Sequence, residues 1–197
     1  MPIDLLLALV SFAFVSTITP GPNNFMLMTS GANFGVRKTI PHMLGIAAGF
    51  AFMLIMVGLG VVAIFEAFPL VYDGLRIACL IYMLYLAWKI ATSSGTTKVE
   101  EKGKPISFMQ AALFQWVNPK AWAMALSAVS VYAPDQRPEA VLLVAAVFVV
   151  VNLPSVSTWA WLGSRMNRLI SRPSHLRLFN SVMAVLLLLS VLPAVFE

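Results

Sequence analysis

Apolar residues come along this chain in six long runs, approximately Leu5–Ser30, Pro41–Phe65, Val71–Ile90, Phe108–Ala133, Ala140–Gly163 and Leu178–Phe196. Each is too long and too continuous for a strand of a membrane barrel, where polar and apolar positions alternate over about ten residues. A helix crosses the bilayer in about 20 apolar residues. Hydrocarbon offers the backbone no hydrogen bonds, so a helix is the form these runs must take. The pattern predicts an all-α membrane protein with six transmembrane helices. The gaps are short. The longest, Ala91–Ser107, collects Thr, Ser, Gly, Lys and Glu and is expected as a solvated loop.

Composition agrees and excludes the alternatives. Of 197 residues, 60% are hydrophobic and only 11% are charged, against about 25% charged in an ordinary soluble domain. So few charges cannot coat a soluble core, and so much Leu, Val, Ala and Phe excludes disorder. The mean hydropathy is +0.87. Six crossings use up the chain, so residues 1–197 form a single transmembrane domain. The start lacks the basic residues and the small-residue cleavage pattern of a signal peptide and reads as the first span.

The net charge of +5 does not point to nucleic acid, because the basic residues sit in the gaps and report topology instead. The first, third and fifth gaps hold Arg37, Lys38, Lys98, Lys102, Lys104, Arg165, Arg168, Arg172 and Arg177, with Lys89 at the edge of the third. The second has only Arg76 nearby, and the fourth only Arg137. Ten against two places the odd gaps in the cytoplasm and both termini, marked by Asp4 and Glu197, outside. The outer gaps also carry Glu66, Asp73, Asp135 and Glu139.

Three spans per half invert the second half relative to the first, a common plan among secondary transporters. Repeat one is read over about 1–90, the cytoplasmic loop over about 91–107 and repeat two over about 108–197. A shift of 97 residues places Pro22 on Pro119, Pro41 on Pro138 and Asp4 on Glu101. More telling, the first span of each half is interrupted deep in its apolar run, by Pro20-Gly21-Pro22-Asn23-Asn24 and by Asn118-Pro119-Lys120.

Proline removes a backbone donor and clashes with the preceding turn. Two prolines flanking a glycine should unwind a helix outright, and in a bilayer each freed backbone group costs several kcal/mol unless it meets protein, water or ligand. The half-helix that starts after the break offers an anion site at its N-terminus, and Asn23 and Asn24 add amides. A zwitterionic solute suits the place: its carboxylate meets the helix start and its ammonium meets carbonyls or side-chain oxygens. Lys120, about twelve residues into an apolar run, costs roughly 2.5–3.5 kcal/mol to insert and should face a cavity or snorkel to the cytoplasmic interface. Gln115 and Trp116 could line the same cavity, Trp116 equally by simple packing. Asn152 with Pro154 reads as a third polar break, either a site wall or a hydrogen-bonded kink, followed by Ser155, Ser157 and Thr158.

The remaining features read as structure. Gly45, Gly49, Gly58 and Gly60 are expected to let helices pack closely, and such small-residue faces permit a homodimer. Trp88 fits an interfacial belt, and Tyr82 could reach inward. Cys79 reads as a packing residue, and His42 and His175 as solvated beside cytoplasmic gaps. No metal-ligand spacing, nucleophile–base set or cofactor loop occurs, so no cofactor, metal or catalytic residue is expected. The membrane interior is expected to lack a carboxylate, since Asp and Glu are missing between Asp4 and Glu66, Glu101 and Asp135, and Glu139 and Glu197. A proton-driven cycle would then use an acceptor near an interface, Asp73 or a histidine, or the substrate's own charge.

With those residues in view, the whole chain resembles the LysE/RhtB family of bacterial amino-acid exporters. The resemblance rests on Thr19-Pro20-Gly21-Pro22-Asn23-Asn24, the Gly35-Val36-Arg37-Lys38 turn, Gly45 to Gly49, Leu86-Ala87-Trp88-Lys89 and Asn118-Pro119-Lys120. It implies a bacterial inner-membrane carrier that exports amino acids or close derivatives from the cytoplasm, driven by protons. Many members carry an acidic residue where this chain has Asn23, which weakens a carboxylate-based role there. Trp88 to Ser93 and Lys104 to Phe108 are similar to the cysteine and O-acetylserine exporter subgroup, with homoserine, threonine or leucine as other substrates. Two readings of another class are a membrane enzyme or electron carrier of the disulfide-exchange type, which would need a cysteine pair where only Cys79 exists, and a non-transporting scaffold.

Overall fold

A computed structural model describes residues 1–61, 63, 67–92, 104–169 and 173–189. Most of the expected polar loop (93–103), Glu66 and residues 190–197 with Glu197 lie outside the described residues, as do the side chains of Asp73 and Cys79. Every regular element described is helical: α1 (Ile3–Ile18), α2 (Pro22–Phe34), α3 (Val36–Gly58), α4 (Pro69–Ala91), α5 (Phe108–Phe114), a 3-10 turn (Gln115–Val117), α6 (Pro119–Tyr132), α7 (Pro138–Leu169) and α8 (Pro173–Leu189). Among these, α3 and the Pro138–Met166 part of α7 are each long and apolar enough to cross a membrane. The pair α1–α2 passes the same test as one span bent by 56°.

The first and fourth apolar runs are both interrupted. Pro20 and Pro22 end α1 and start α2, with Gly21 fully extended between them. The fourth run divides at Asn118 into α5 and α6. Ser107 and Gln110 close a reciprocal capping box at the start of α5, and Pro119 takes the first position of α6, where its missing N–H is no loss.

Three boundaries depart from the sequence pattern. The first gap shrinks to Gly35, whose φ of 78° turns the chain between α2 and α3. The helix therefore starts at Val36 and takes Pro41 into its interior. Asn152 and Pro154 do not break α7, which stays helical through 32 residues. One turn on, Ser157 donates its hydroxyl to Leu153 O and Thr158 to Pro154 O. Gly60 sits at φ 90° with open space around it, so it serves a turn rather than helix packing.

The long helix α7 is the spine. It packs along α1 and α2 on one side and α3 on the other, α3 packs in turn on α5 and α6, and α4 pairs with α8. Leu9, Ala13, Phe50, Met53, Ala125 and Phe148 form one buried cluster, and Phe25, Met83, Leu86, Phe114 and Leu187 a second. Glycine sets the closest approaches: Gly45 and Gly49 lie against the backbone of α5, Gly58 against Val141, Gly31 against Ala160 and Gly163 against Met28. Large apolar side chains also cover the outside, with Leu70 84% and Val150 69% exposed. That surface suits lipid, not water. Trp88 is among the exposed side chains.

Candidate functional site

Where α1 ends, α2 begins, and the 3-10 turn meets α6, the two breaks come together. The last four carbonyls of a helix lack intrahelical partners, and here each finds one. Val15 O accepts from the Thr19 amide (3.2 Å), Ser16 O from Thr19 Oγ1 (3.1 Å), Thr17 O from Asn24 Nδ2 (2.9 Å) and Ile18 O from Trp159 Nε1 (3.1 Å). The unwound residues continue the series. Thr19 O accepts from Asn24 Nδ2 at 2.7 Å and from Lys120 Nζ at 2.8 Å, and Pro20 O accepts from Lys120 Nζ at 3.3 Å. Lys120 also donates to Thr19 Oγ1 at 2.9 Å.

A second tie joins the breaks through neutral groups. Asn23 Nδ2 donates to Gln115 Oε1 at 2.9 Å, and Gln115 Nε2 donates back to Asn23 Oδ1 at 3.1 Å and to Ala111 O at 2.9 Å. Asn118 caps α6 by accepting from the Lys120 amide through Oδ1 at 3.2 Å. The first-turn amides of Asn23 and Asn24 have no earlier carbonyl within α2 to bond.

These groups line a partly open cleft. Gly21, Asn23, Asn24, Gln115, Asn118, Lys120 and Asn152 form its polar wall with Ser16 and Thr17, and Ile46, Phe50, Ala121, Met124 and Val156 its apolar wall. The cleft spans about 380 Å³ with its mouth, but its free interior is only about 30 Å³, room for one or two waters. Of the ten residues singled out in the sequence, seven line it. Pro20 lends its carbonyl to Lys120, Pro22 is buried at the start of α2 and Pro119 starts α6. Trp116 is not on the wall. It packs on Trp122 and Phe52, and its carbonyl accepts from Trp122 Nε1. Tyr82 packs against Phe114 and Tyr85.

Several buried or bonded polar groups escaped the sequence reading. Thr19 was visible only as a flank of the proline motif, yet it receives Lys120. Below the cleft a column of polar groups continues between α2, α3 and α8. Ser30 and Thr39 hydroxyls are 3.0 Å apart, Thr39 donates to Gly35 O, and Asn33 and Asn180 exchange amide bonds at 3.1 and 3.4 Å. His42 belongs to this level and corrects the solvated expectation. It is 0% exposed, and neither ring nitrogen has a partner, nor do Thr29 Oγ1 and Ser155 Oγ. Gly35 as the entire α2–α3 connection is the cause, since it draws the start of α3 into the bundle. His175 is exposed.

Compared with known proteins, residues 14–192 match the sequence profile of the LysE type translocator. Proteins called "Cysteine/O-acetylserine efflux protein" are similar along almost their whole length. Those of Escherichia coli (strain K12) and Shigella sonnei (strain Ss046) are each 32% identical over 190 residues, covering 93% of this chain and 93% of the relative. That of Escherichia coli O139:H28 is 32% identical over 191 residues, covering 93% and 94%. No solved structure matches the chain.

Proposed function

Since the chain belongs to the LysE type translocator family, we propose that it is a multi-pass inner-membrane carrier, not an enzyme, that exports small neutral amino acids or close derivatives from the cytoplasm. The observation that carries the reading is the cleft in which two interrupted helices from the two halves of the chain meet. It offers orphan amides at a helix start and oxygens at a helix end, the two poles of a zwitterion's complement. The names of the relatives favour cysteine or O-acetylserine over homoserine or threonine.

Six spans in two inverted triplets form part of this proposal. Exchange α1–α2, α3 and α4 with α5–α6, α7 and α8, and the packing pairs exchange too. The contact of α1–α2 with α7 becomes that of α5–α6 with α3, while α3–α7 and α4–α8 map onto themselves. The bias of Lys and Arg toward the odd gaps supports outward termini.

The proposal includes proton exchange as the driving force, with His42 as its proton-carrying group. The elements against α3 bring few competitors: α2, α5 and the 3-10 turn carry no titratable side chain, α6 carries Lys120 and Tyr132, and α7 carries Glu139 near one end and Arg165 and Arg168 near the other. His42→Gln keeps size and polarity but cannot be protonated. In vesicles, export driven by an imposed pH gradient should fall at least tenfold in this variant, while exchange of substrate for substrate persists. Full pH-driven export by His42→Gln would remove His42 from the coupling.

The function itself is tested by loading cells with labelled amino acids and following release with the protein absent, normal and overproduced. Release of O-acetylserine and cysteine should track its amount and be lost in Asn23→Ala and Pro22→Ala. Release that ignores the protein across a broad amino-acid panel would refute the proposal. A scaffold would tolerate both substitutions.

A further inference from the structure

Lys120 reaches across from the second break and fills the first. Its ammonium is ringed by three neutral oxygens, Thr19 O at 2.8 Å, Thr19 Oγ1 at 2.9 Å and Pro20 O at 3.3 Å. Among the described residues the one ion pair is Arg137–Asp135, so no carboxylate shares this charge. A ring of neutral oxygens is how a protein receives an amino acid's ammonium group. Lys120 thus stands where such a group would bind.

Two further observations show that the seat is built for it. Gly21 carries no side chain, and a Cβ there would lie 2.7 Å from Lys120 Cδ and 3.2 Å from Nζ. The free interior of the cleft, about 30 Å³, does not admit an amino acid while the lysine is in place. The lysine side chain is itself comparable in size to a small amino acid, so its withdrawal makes the missing room.

We propose that Lys120 is a tethered stand-in for the substrate's ammonium group and thereby determines specificity. It occupies the seat in the empty cleft, and an arriving zwitterion displaces it. The solute's ammonium takes the oxygens of Thr19 and Pro20. The freed lysine ammonium then pairs with the carboxylate of the same solute, which the N-terminus of α2 also favours. Only a solute with both poles completes the exchange. An amine alone leaves a displaced lysine without an anion, and an acid alone leaves the oxygen ring empty. A cationic amino acid adds a second positive charge to a site with no carboxylate of its own.

This inference rests on the export proposal, and the test separates the two. Purified protein in liposomes preloaded with unlabelled O-acetylserine takes up labelled O-acetylserine by exchange. Competitors are cysteine, its decarboxylated amine cysteamine, and its deaminated acid 3-mercaptopropionate. In the wild type only cysteine should compete. Lys120→Met keeps the length and removes the charge. It should weaken competition by cysteine at least tenfold, and cysteamine should become the stronger competitor. Gly21→Ala keeps the lysine but crowds its seat and should raise the potency of cysteamine while cysteine still competes. A purely structural role for Lys120 would lower all exchange together and leave the order of competitors unchanged. That result, in folded Lys120→Met or in Gly21→Ala, overturns the proposal. Absence of exchange in the wild type for every amino acid would instead overturn the export function.

Discussion

Gly163→Val will keep the protein from reaching a stable folded state. A Cβ at Gly163 would fall onto the Met28 carbonyl group, within 2.7 Å of its carbon and nearer its oxygen. The obstacle is helix backbone, which cannot turn aside as a side chain does. Gly31 meets Ala160 of α7 in the same way, so α2 and α7 are clasped at two levels. Forcing them apart opens the cluster of Leu27, Ile46, Val156 and Ala160. Overpacking usually costs about 1–3 kcal/mol, and a clash with backbone at such a clasp belongs at or above the upper end. Thermal denaturation of purified protein in detergent, with the monodisperse yield, measures it. Gly74→Ala is the control, because nothing lies within 4 Å of that position, and it should leave the melting temperature within error. Wild-type stability in Gly163→Val would mean that α2 and α7 stand further apart than described.

Gln115→Leu will lower export at least tenfold. Gln115 is wholly buried and exchanges two hydrogen bonds with Asn23 while anchoring to Ala111 O. Leucine fills similar space but strands the half-buried Asn23 amide; an unsatisfied buried polar group costs about 1–3 kcal/mol, and the partly open cleft puts this one at the lower end. Asn23→Leu should do comparable harm from the other side. Stability and transport then part company in the double variant. With both amides replaced by apolar groups, no group of the pair is stranded except through Ala111 O, so stability should recover to within about 1 kcal/mol of the wild type. Export should stay lost, because the bridge between the two halves at the cleft is gone. Denaturation and vesicle efflux on the four proteins decide it. Export restored along with stability would reduce the pair to packing.

Much of this site could be read from local chemistry, and the reasons are specific. Pro20 and Pro22 flank a glycine and Pro119 follows Asn118, so each removes a backbone donor beside a residue that also favours a break, and both interruptions show in the one-dimensional pattern. Polar residues next to such breaks must be satisfied within hydrocarbon, which singles out Asn23, Asn24, Gln115 and Lys120. Partnership was not legible. Nothing near Lys120 in the chain names Thr19, 101 residues away, and nothing near Asn33 names Asn180. Pro154 misled because the consequence of a proline depends on its neighbours: a single proline without a flanking glycine is taken into the long helix α7, as Pro41 is into α3. His42 misled because a polar residue close to a basic gap reads as wet, whereas the one-residue turn at Gly35 carries it inward.

The clasp between α2 and α7 has a mechanical consequence. α2 hangs from α1 by three non-helical residues, yet its carbonyls interlock with a helix 32 residues long. Tilting α7 would therefore carry α2 with it, and the end of α1 too through the Trp159–Ile18 bond, as a handle moves a blade. Such a stroke would draw Asn23 off Gln115 and lift the oxygens of Thr19 from Lys120 without unwinding a single turn.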